Sequence, residues 1–297
     1  MPVALTLALA AMCGCDQSNA TPPAAQTPTT APRLAVLSPA LAQTLRDLGA
    51  EGTIVARHGW DSFTSPGIPP VGNEGGIDYE ALLKSKPTHI ILQSGAKENP
   101  ARLEALAAQN HWHILRVPAL TLDDISAGIA PLAQAAGVTD QAREAAAGVF
   151  RDAFELVGGL KARAGRVLVL AGVDPPTVMG PGSFHYEMVE RLGADAVPND
   201  GAAFIQWSVE DVIRCDPDTL VLMLPGADGT VQAVAAALGP LARPGLRCVT
   251  SGRVVVISDP KCHLPATSLA RVAERLRESL AAFEPIPTAP TLDEAAR

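Results

Sequence analysis

Basic runs are missing from this chain. Its 297 residues carry 31 acids against 23 bases, 5 of them Lys, for a formal charge of −8. Without clustered Lys and Arg to neutralise phosphates, a nucleic-acid partner is excluded. Beyond the first dozen residues, no apolar run approaches the ~20 residues that a membrane-spanning helix needs. Cysteine is scarce as well, at 5 residues, with neither a CxxC pair nor a Cys/His spacing of zinc type, so no metal site is assigned. Enzyme signatures are lacking: there is no GxSxG elbow, HExxH or P-loop, and no catalytic residue is named. Asp123-Asp124, after Thr121-Leu122, reads as a helix-cap pair rather than an acid/base dyad. What is present is apolar bulk. At 47% hydrophobic and 18% charged residues, the chain has material for a sizeable core, and its length suits two domains.

The N-terminus reads as an address. Val3 to Met12 is an uncharged apolar run, too short to span a membrane and suited to a signal-peptide core. It leads into Met12-Cys13-Gly14-Cys15, where a small residue before cysteine looks like a bacterial lipobox. Cys15 would become the lipidated first residue of the mature protein, leaving residues 1–15 as signal peptide and lipobox. Residues 16–32, rich in Pro, Thr, Ala and Gln, read as a flexible linker. Cys215, Cys248 and Cys262 then read as buried free thiols, Cys248 and Cys262 being the pair open to a bridge.

The body is a repeat. Ile77–Gln93 aligns without gaps with Trp207–Met223, so that Glu80 matches Glu210 and Pro87 matches Pro217, each 130 residues apart. In each copy Asp78 or Ser208 caps a short helix with a Glu in its first turn, Pro stops it, and a buried strand follows. Upstream, Arg33–Leu37 and Arg166–Leu170 read as strands, each leading to a helix that ends in Leu-Gly-Ala, at 48–50 and 192–194. Each half is therefore strand–helix–strand–helix–strand, a parallel α/β unit, with later strands near 113–117, 220–224 and 253–258. Between the halves, Val149, Phe150, Phe154, Val157 and Leu160 recur at helical spacing after the cap Thr139, which predicts one long helix over 139–165. Gly158-Gly159 weakens its last turns. The N-terminal lobe is expected over 33–138, the C-terminal lobe over 166–283, and a frayed tail over 284–297.

Two α/β lobes bridged by one helix, behind a lipobox, resemble the cobalamin- and siderophore-binding proteins of ABC importers, the helix-backbone class of periplasmic substrate-binding proteins. The carrying segments are Leu37-Ser38-Pro39-Ala40, Leu48-Gly49-Ala50, Tyr79-Glu80-Ala81-Leu82, Lys86-Pro87-Thr88, Gly180-Pro181-Gly182-Ser183-Phe184, Glu210-Asp211-Val212 and Gly252-Arg253-Val254. The Gly180-Pro181-Gly182-Ser183-Phe184 loop brings the cobalamin branch nearest. The resemblance implies a monomer, periplasmic and held at the inner membrane by its lipid. It would capture cobalamin or a related corrinoid, with no resident cofactor, and deliver it to the permease dimer of an ABC importer.

The residues expected at the ligand are Trp60, Asp61 and Glu74 on loops of the first lobe, with Ser38 and Pro39 at a helix start. In the second lobe they are Gly182, Ser183 and Phe184 at the equivalent helix start, with Phe204, Trp207 and His263. A rigid aromatic grips a flat ligand at low entropic cost, and of Phe204 and Trp207 one is expected to be core. By the resemblance, Glu80 and Glu210 would dock onto the two permease subunits. The rival ligands are a ferric siderophore or haem. The rival class is a metal-dependent enzyme or metallochaperone using the loop histidines His58, His185 and His263.

Overall fold

The computed structural model describes residues 31–73, 75–94, 100–154, 160–227, 236, 238–242 and 245–287. The expected lipobox with Cys15, the expected signal segment and the expected linker up to residue 30 lie outside the described residues. In the first lobe, β1 (Leu34–Val36) is apolar and buried along its whole length, as a central parallel strand must be. Ser38 then caps α1 (Pro39–Asp47), with Pro39 at its first position, where the missing N–H costs nothing. Gly49, at φ 72°, ends the helix in the left-handed region, and the Ala50 N–H returns to the Leu45 carbonyl. Next come β2 (Ile54–Arg57), a small antiparallel hairpin β3 (Gly72–Asn73) and β4 (Gly76–Ile77), and α2 (Tyr79–Ser85). The lobe closes with β5 (His89–Ser94), α3 (Ala101–Asn110), β6 (His113–Pro118) and α4 (Leu122–Ala135). Its four-stranded sheet runs β2-β1-β5-β6, parallel throughout.

The second lobe repeats these devices. After β7 (Arg166–Val173) and β8 (Pro176–Met179), Ser183 caps α7 (Phe184–Arg191), and Gly193, at φ 80°, ends it. Then follow β9 (Asp195–Val197), β10 (Phe204–Gln206), α8 (Val209–Cys215), β11 (Thr219–Met223), α9 (Arg247–Thr250), β12 (Val254–Ile257) and α10 (Leu269–Ala281). The 130-residue repeat is structural. α8 starts and ends 130 residues after α2, Asp78 and Ser208 both accept a backbone N–H as caps, and Lys86 and Asp216 both turn left-handed before proline. The strands that follow, β5 and β11, each lie parallel beside the first strand of their lobe.

The second sheet is mixed where an all-parallel unit was expected. Asp174 and Pro175 form a two-residue turn that sends β8 straight back along β7, and β10 pairs antiparallel with β8. The segment expected as a single helix is helical over α5 (Asp140–Asp152) and again over α6 (Leu160–Ala164), with Ala153-Phe154 in a turn and 155–159 outside the described residues.

Pro32–Arg297 forms one compact unit, and a single hydrophobic cluster runs through both lobes, from Leu34 and Leu45 through Ile129, Leu132 and Phe150 to Val167, Leu269 and Leu276. The C-terminal segment is held as far as it is described rather than fraying from 284. Arg163 donates to the Phe283 carbonyl at 2.8 Å, Ile286 N–H donates to Ala162 at 2.8 Å, and Arg253 lies over the Phe283 ring. Arg253 also donates to the carbonyls of Arg163 and Glu284. Cys248 and Cys262 are buried free thiols, both pushed up to about 11 by burial, which keeps them protonated and inert.

Candidate functional site

Parallel strands end on one edge of their sheet, so the loops after β1, β2, β5 and β6 gather there. The loop after β2 is built from its polar interior outward. Arg57 donates to the carbonyls of Ile68 at 2.9 Å and Asp61 at 2.8 Å. The Asp61 carboxylate accepts the N–H groups of Phe63 and Thr64, both at 3.0 Å, and the Thr64 hydroxyl at 2.5 Å. Asp61 is only 2% exposed. It was expected at the ligand, but both of its oxygens are spent turning the loop. Trp60, whose backbone N–H donates to His58 Nδ1 at 3.2 Å, keeps 60% of its surface exposed. The indole meets the His58 ring edge-on, with centroids 6.1 Å apart.

Ser38 is buried at the same edge. Its hydroxyl caps α1 and donates to Gln93 Oε1 at 2.9 Å, while Gln93 Nε2 donates to the Ala119 carbonyl at 3.2 Å. A hydroxyl so engaged shapes the floor rather than meeting a ligand, whereas Pro39 stays half-exposed beside it. The Ala119 bond sets the next residue, Leu120, which is 59% exposed. Sequence reasoning missed Leu120. A usable signal was available, since a strand near 113–117 and the cap Thr121 leave only a short loop that must cross this edge.

In the second lobe, Ser183 donates to the Gly180 carbonyl at 2.9 Å and accepts the Tyr186 N–H at 3.2 Å, so it is a buried cap with no group left to offer. Gly182, at φ 84°, is exposed, and a Cβ there would meet nothing within 4 Å. Backbone can therefore be approached closely at this turn. Phe184 does not face outward as expected. It is buried and stacked on the His185 ring, with centroids 4.0 Å apart. Beside this turn, the Gly180 N–H donates to Ala203, and Phe204, the first residue of β10, is 62% exposed.

The two rims meet where Glu187 of α7 accepts the Leu122 N–H of α4 at 2.8 Å and Arg191 pairs with Asp123 at 2.5 Å. Trp60 and Leu120 from one lobe and Phe204 from the other are three of the five large hydrophobic side chains left exposed among the described residues, and all three lie on loops or strand ends near the seam. A family model described as periplasmic binding protein matches residues 34–238. The chain belongs to the periplasmic binding protein family. Among solved structures, the periplasmic vitamin B12 binding protein of Vibrio cholerae is 19% identical, with a TM-score of 0.66, over 84% of this chain and 96% of that one. The periplasmic haem-binding protein of the same organism is also 19% identical, with a TM-score of 0.66, over 86% and 100%. An Fe3+-hydroxamate transport protein of Saccharomonospora viridis is 24% identical, with a TM-score of 0.57, over 84% and 93%. Among curated proteins, none matches.

The remaining expected residues of this binding protein separate into groups. Strand alternation leaves Phe204 and Gln206 outside, and Trp207 is half-buried, packed against the second-lobe cluster. It borders a different cavity, of about 470 Å³, with Arg166 and Arg214 at the opposite edge of the sheet. His185 lies inside α7 rather than on a loop. Its Nε2 donates to the Cys262 carbonyl at 2.9 Å, and burial, then neighbouring His263, push it down to about 3. His263 Nε2 donates to Met223 at 2.9 Å while its Nδ1 lies 3.2 Å from His185 Nε2. Both rings are thus neutral supports of the β11 end, and neither nitrogen of His263 is left for a metal. Glu74 lies outside the described residues. Its neighbours Asn73, Gly75 and Gly76 border a cavity of about 490 Å³ with Gly59. Glu80 and Glu210 are exposed at the second position of their matching helices, and Glu80 pairs with Lys84 at 2.7 Å.

Proposed function

We propose that this periplasmic binding protein captures cobalamin or a related corrinoid between its lobes and delivers it to the permease dimer of an ABC importer. The observation that carries the reading is the pair Trp60 and Phe204, one from each lobe, the two Phe, Tyr or Trp side chains left more than half exposed among the described residues. Flat rigid side chains facing a cleft suit a broad macrocycle. The fold is as similar to the vitamin B12 binding protein of Vibrio cholerae as to the haem-binding protein of that organism, and so is compatible with this choice. Ligation of a haem iron by a tyrosine or by His263 finds less support. Tyr186 donates its hydroxyl to the buried Ala196 carbonyl, Tyr79 lies under Arg102, and His263 has both nitrogens engaged.

The protein acts as a monomer. Cys15 carries the lipid that holds it at the inner membrane, since two or more acyl chains give stable attachment. Glu80 and Glu210 meet the permease, and catalysis plays no part. The deciding experiment is a calorimetric panel of cyanocobalamin, haemin and a ferric hydroxamate. Saturable binding of cyanocobalamin alone supports the reading, and tighter binding of either iron compound overturns it.

A further inference from the structure

The far end of the first sheet carries a juxtaposition that the sequence hides. His89 and His113 are 24 residues apart in the chain, yet they open β5 and β6 and face each other in register. Their ring centroids are 5.1 Å apart, with planes 33° from parallel. His113 is exposed and His89 half-buried, at the amino ends of strands whose carboxyl ends carry the cleft.

We propose that His89 and His113 form a two-histidine site for a borderline divalent cation such as Zn2+, with water completing the coordination. Zinc held at about 2.0 Å by one nitrogen of each imidazole, at the tetrahedral angle, puts the ring centres roughly 5 Å apart, which is the separation found. Imidazole is the ligand type that such ions prefer over hard cations. A ligating histidine needs its second nitrogen held by a partner, and His89 has one. Thr88 Oγ1 lies 2.9 Å from Nδ1 and 3.2 Å from the Arg33 carbonyl. That hydroxyl can therefore accept the Nδ1–H while giving its own proton to Arg33, leaving Nε2 bare for the metal. No third His, Cys, Asp or Glu joins them among the described residues, so the site is open and its ion exchangeable. It stands at the opposite edge of the sheet from the cleft and does not depend on which ligand the cleft holds.

The test is calorimetric titration of the full chain, without an affinity tag, with Zn2+ alone. One ion should bind per chain. Loss of an outer-shell partner typically costs about tenfold to a hundredfold in metal affinity, so losing a ligand in His113→Gln or His89→Gln should cost at least the lower figure. Thr88→Val should weaken binding less, and His111→Gln should leave it unchanged. Exposed His113 can be replaced without unfolding the lobe, and an unchanged melting temperature confirms that. Parent-like zinc affinity in the double variant, or no zinc uptake by the parent, overturns the assignment.

Discussion

Glu187, on the second lobe, accepts a hydrogen bond from the backbone N–H of Leu122, at the start of α4 on the first, at 2.8 Å. A carboxylate at a helix start meets unpaired N–H groups and the positive end of the helix dipole together. Thr121 and Asp124 already form a capping box there, and Glu187 satisfies one more first-turn N–H from across the seam. Thr267, at the entry to α10, donates to Asp47 at 2.7 Å and ties the lobes a second time. With the shared core, these contacts favour a cleft of fixed width over one that closes by a large hinge movement.

From that contact follows the first prediction. Glu187→Ala should lower unfolding stability by about 1–2 kcal/mol, the worth of a charge-assisted bond at a helix start. Glu187→Gln, which keeps an acceptor and loses the charge, should cost less. Urea midpoints of the two variants measure this, and equal midpoints for Ala and parent would show that the seam gains nothing from the bond.

Binding is the second. Losing a well-packed aromatic at a binding site costs about 2 kcal/mol or more, roughly thirtyfold in affinity. Trp60→Ala and Phe204→Ala should each weaken cyanocobalamin binding by that order while leaving the melting temperature near that of the parent, since both side chains are mostly exposed. Trp207→Ala should do the reverse, lowering stability and sparing affinity. If Trp207→Ala loses binding and Trp60→Ala does not, the cleft has been placed on the wrong edge.

The third concerns acid. His185 is held down to about 3, first by burial and then by His263, whereas an unfolded histidine titrates near 6.5. The folded state therefore takes up a proton less readily than the unfolded one. The stability that neutral His185 contributes is complete above pH 6.5 and falls as pH drops toward 3, by about 1.4 kcal/mol per unit. Burial lowers His263 as well, which adds to the same slope. Urea midpoints at pH 7 and pH 5 should differ in the parent and differ less in His185→Gln. An equal slope in both proteins would assign the acid sensitivity to other groups.

Local signals made much of the scaffold legible. Asp78 and Ser208 before their helices, Pro87 and Pro217 after them, and Gly49 and Gly193 at helix ends are positions where backbone geometry admits few residue types. They mark the two lobes and their repeat. What stayed hidden depended on distance in the fold. The Asp174-Pro175 turn makes the second sheet mixed, because a two-residue return competes with the expected helix crossover. Asp61, Ser183 and Phe184 carry the chemistry of ligand contacts, yet the first two spend it on their own loops and the third on the core. Composition cannot show which polar groups are already satisfied. Leu120 reads as an ordinary leucine until its strand end is known, and His89 meets His113 only through sheet register.

The last prediction concerns Glu80 and Glu210, which the repeat places at equivalent points of two lobes. Both are exposed in the first turn of short capped helices, where an acid is comfortable for local reasons. A local role alone would make each worth a few tenths of a kcal/mol, and Glu80 shares its charge with Lys84 across an exposed pair that contributes little. Docking makes a different demand. Two like charges related by the lobe repeat suit a partner with two equivalent subunits, fixing orientation and assisting encounter. Glu80→Arg combined with Glu210→Arg should leave cyanocobalamin affinity and melting temperature close to the parent values. The same change should abolish salt-sensitive association with the permease and the transport that depends on it. Each single variant should fall between, since one docking point remains. Transport by the double variant at the parent rate would leave the two acids with helix capping as their only task.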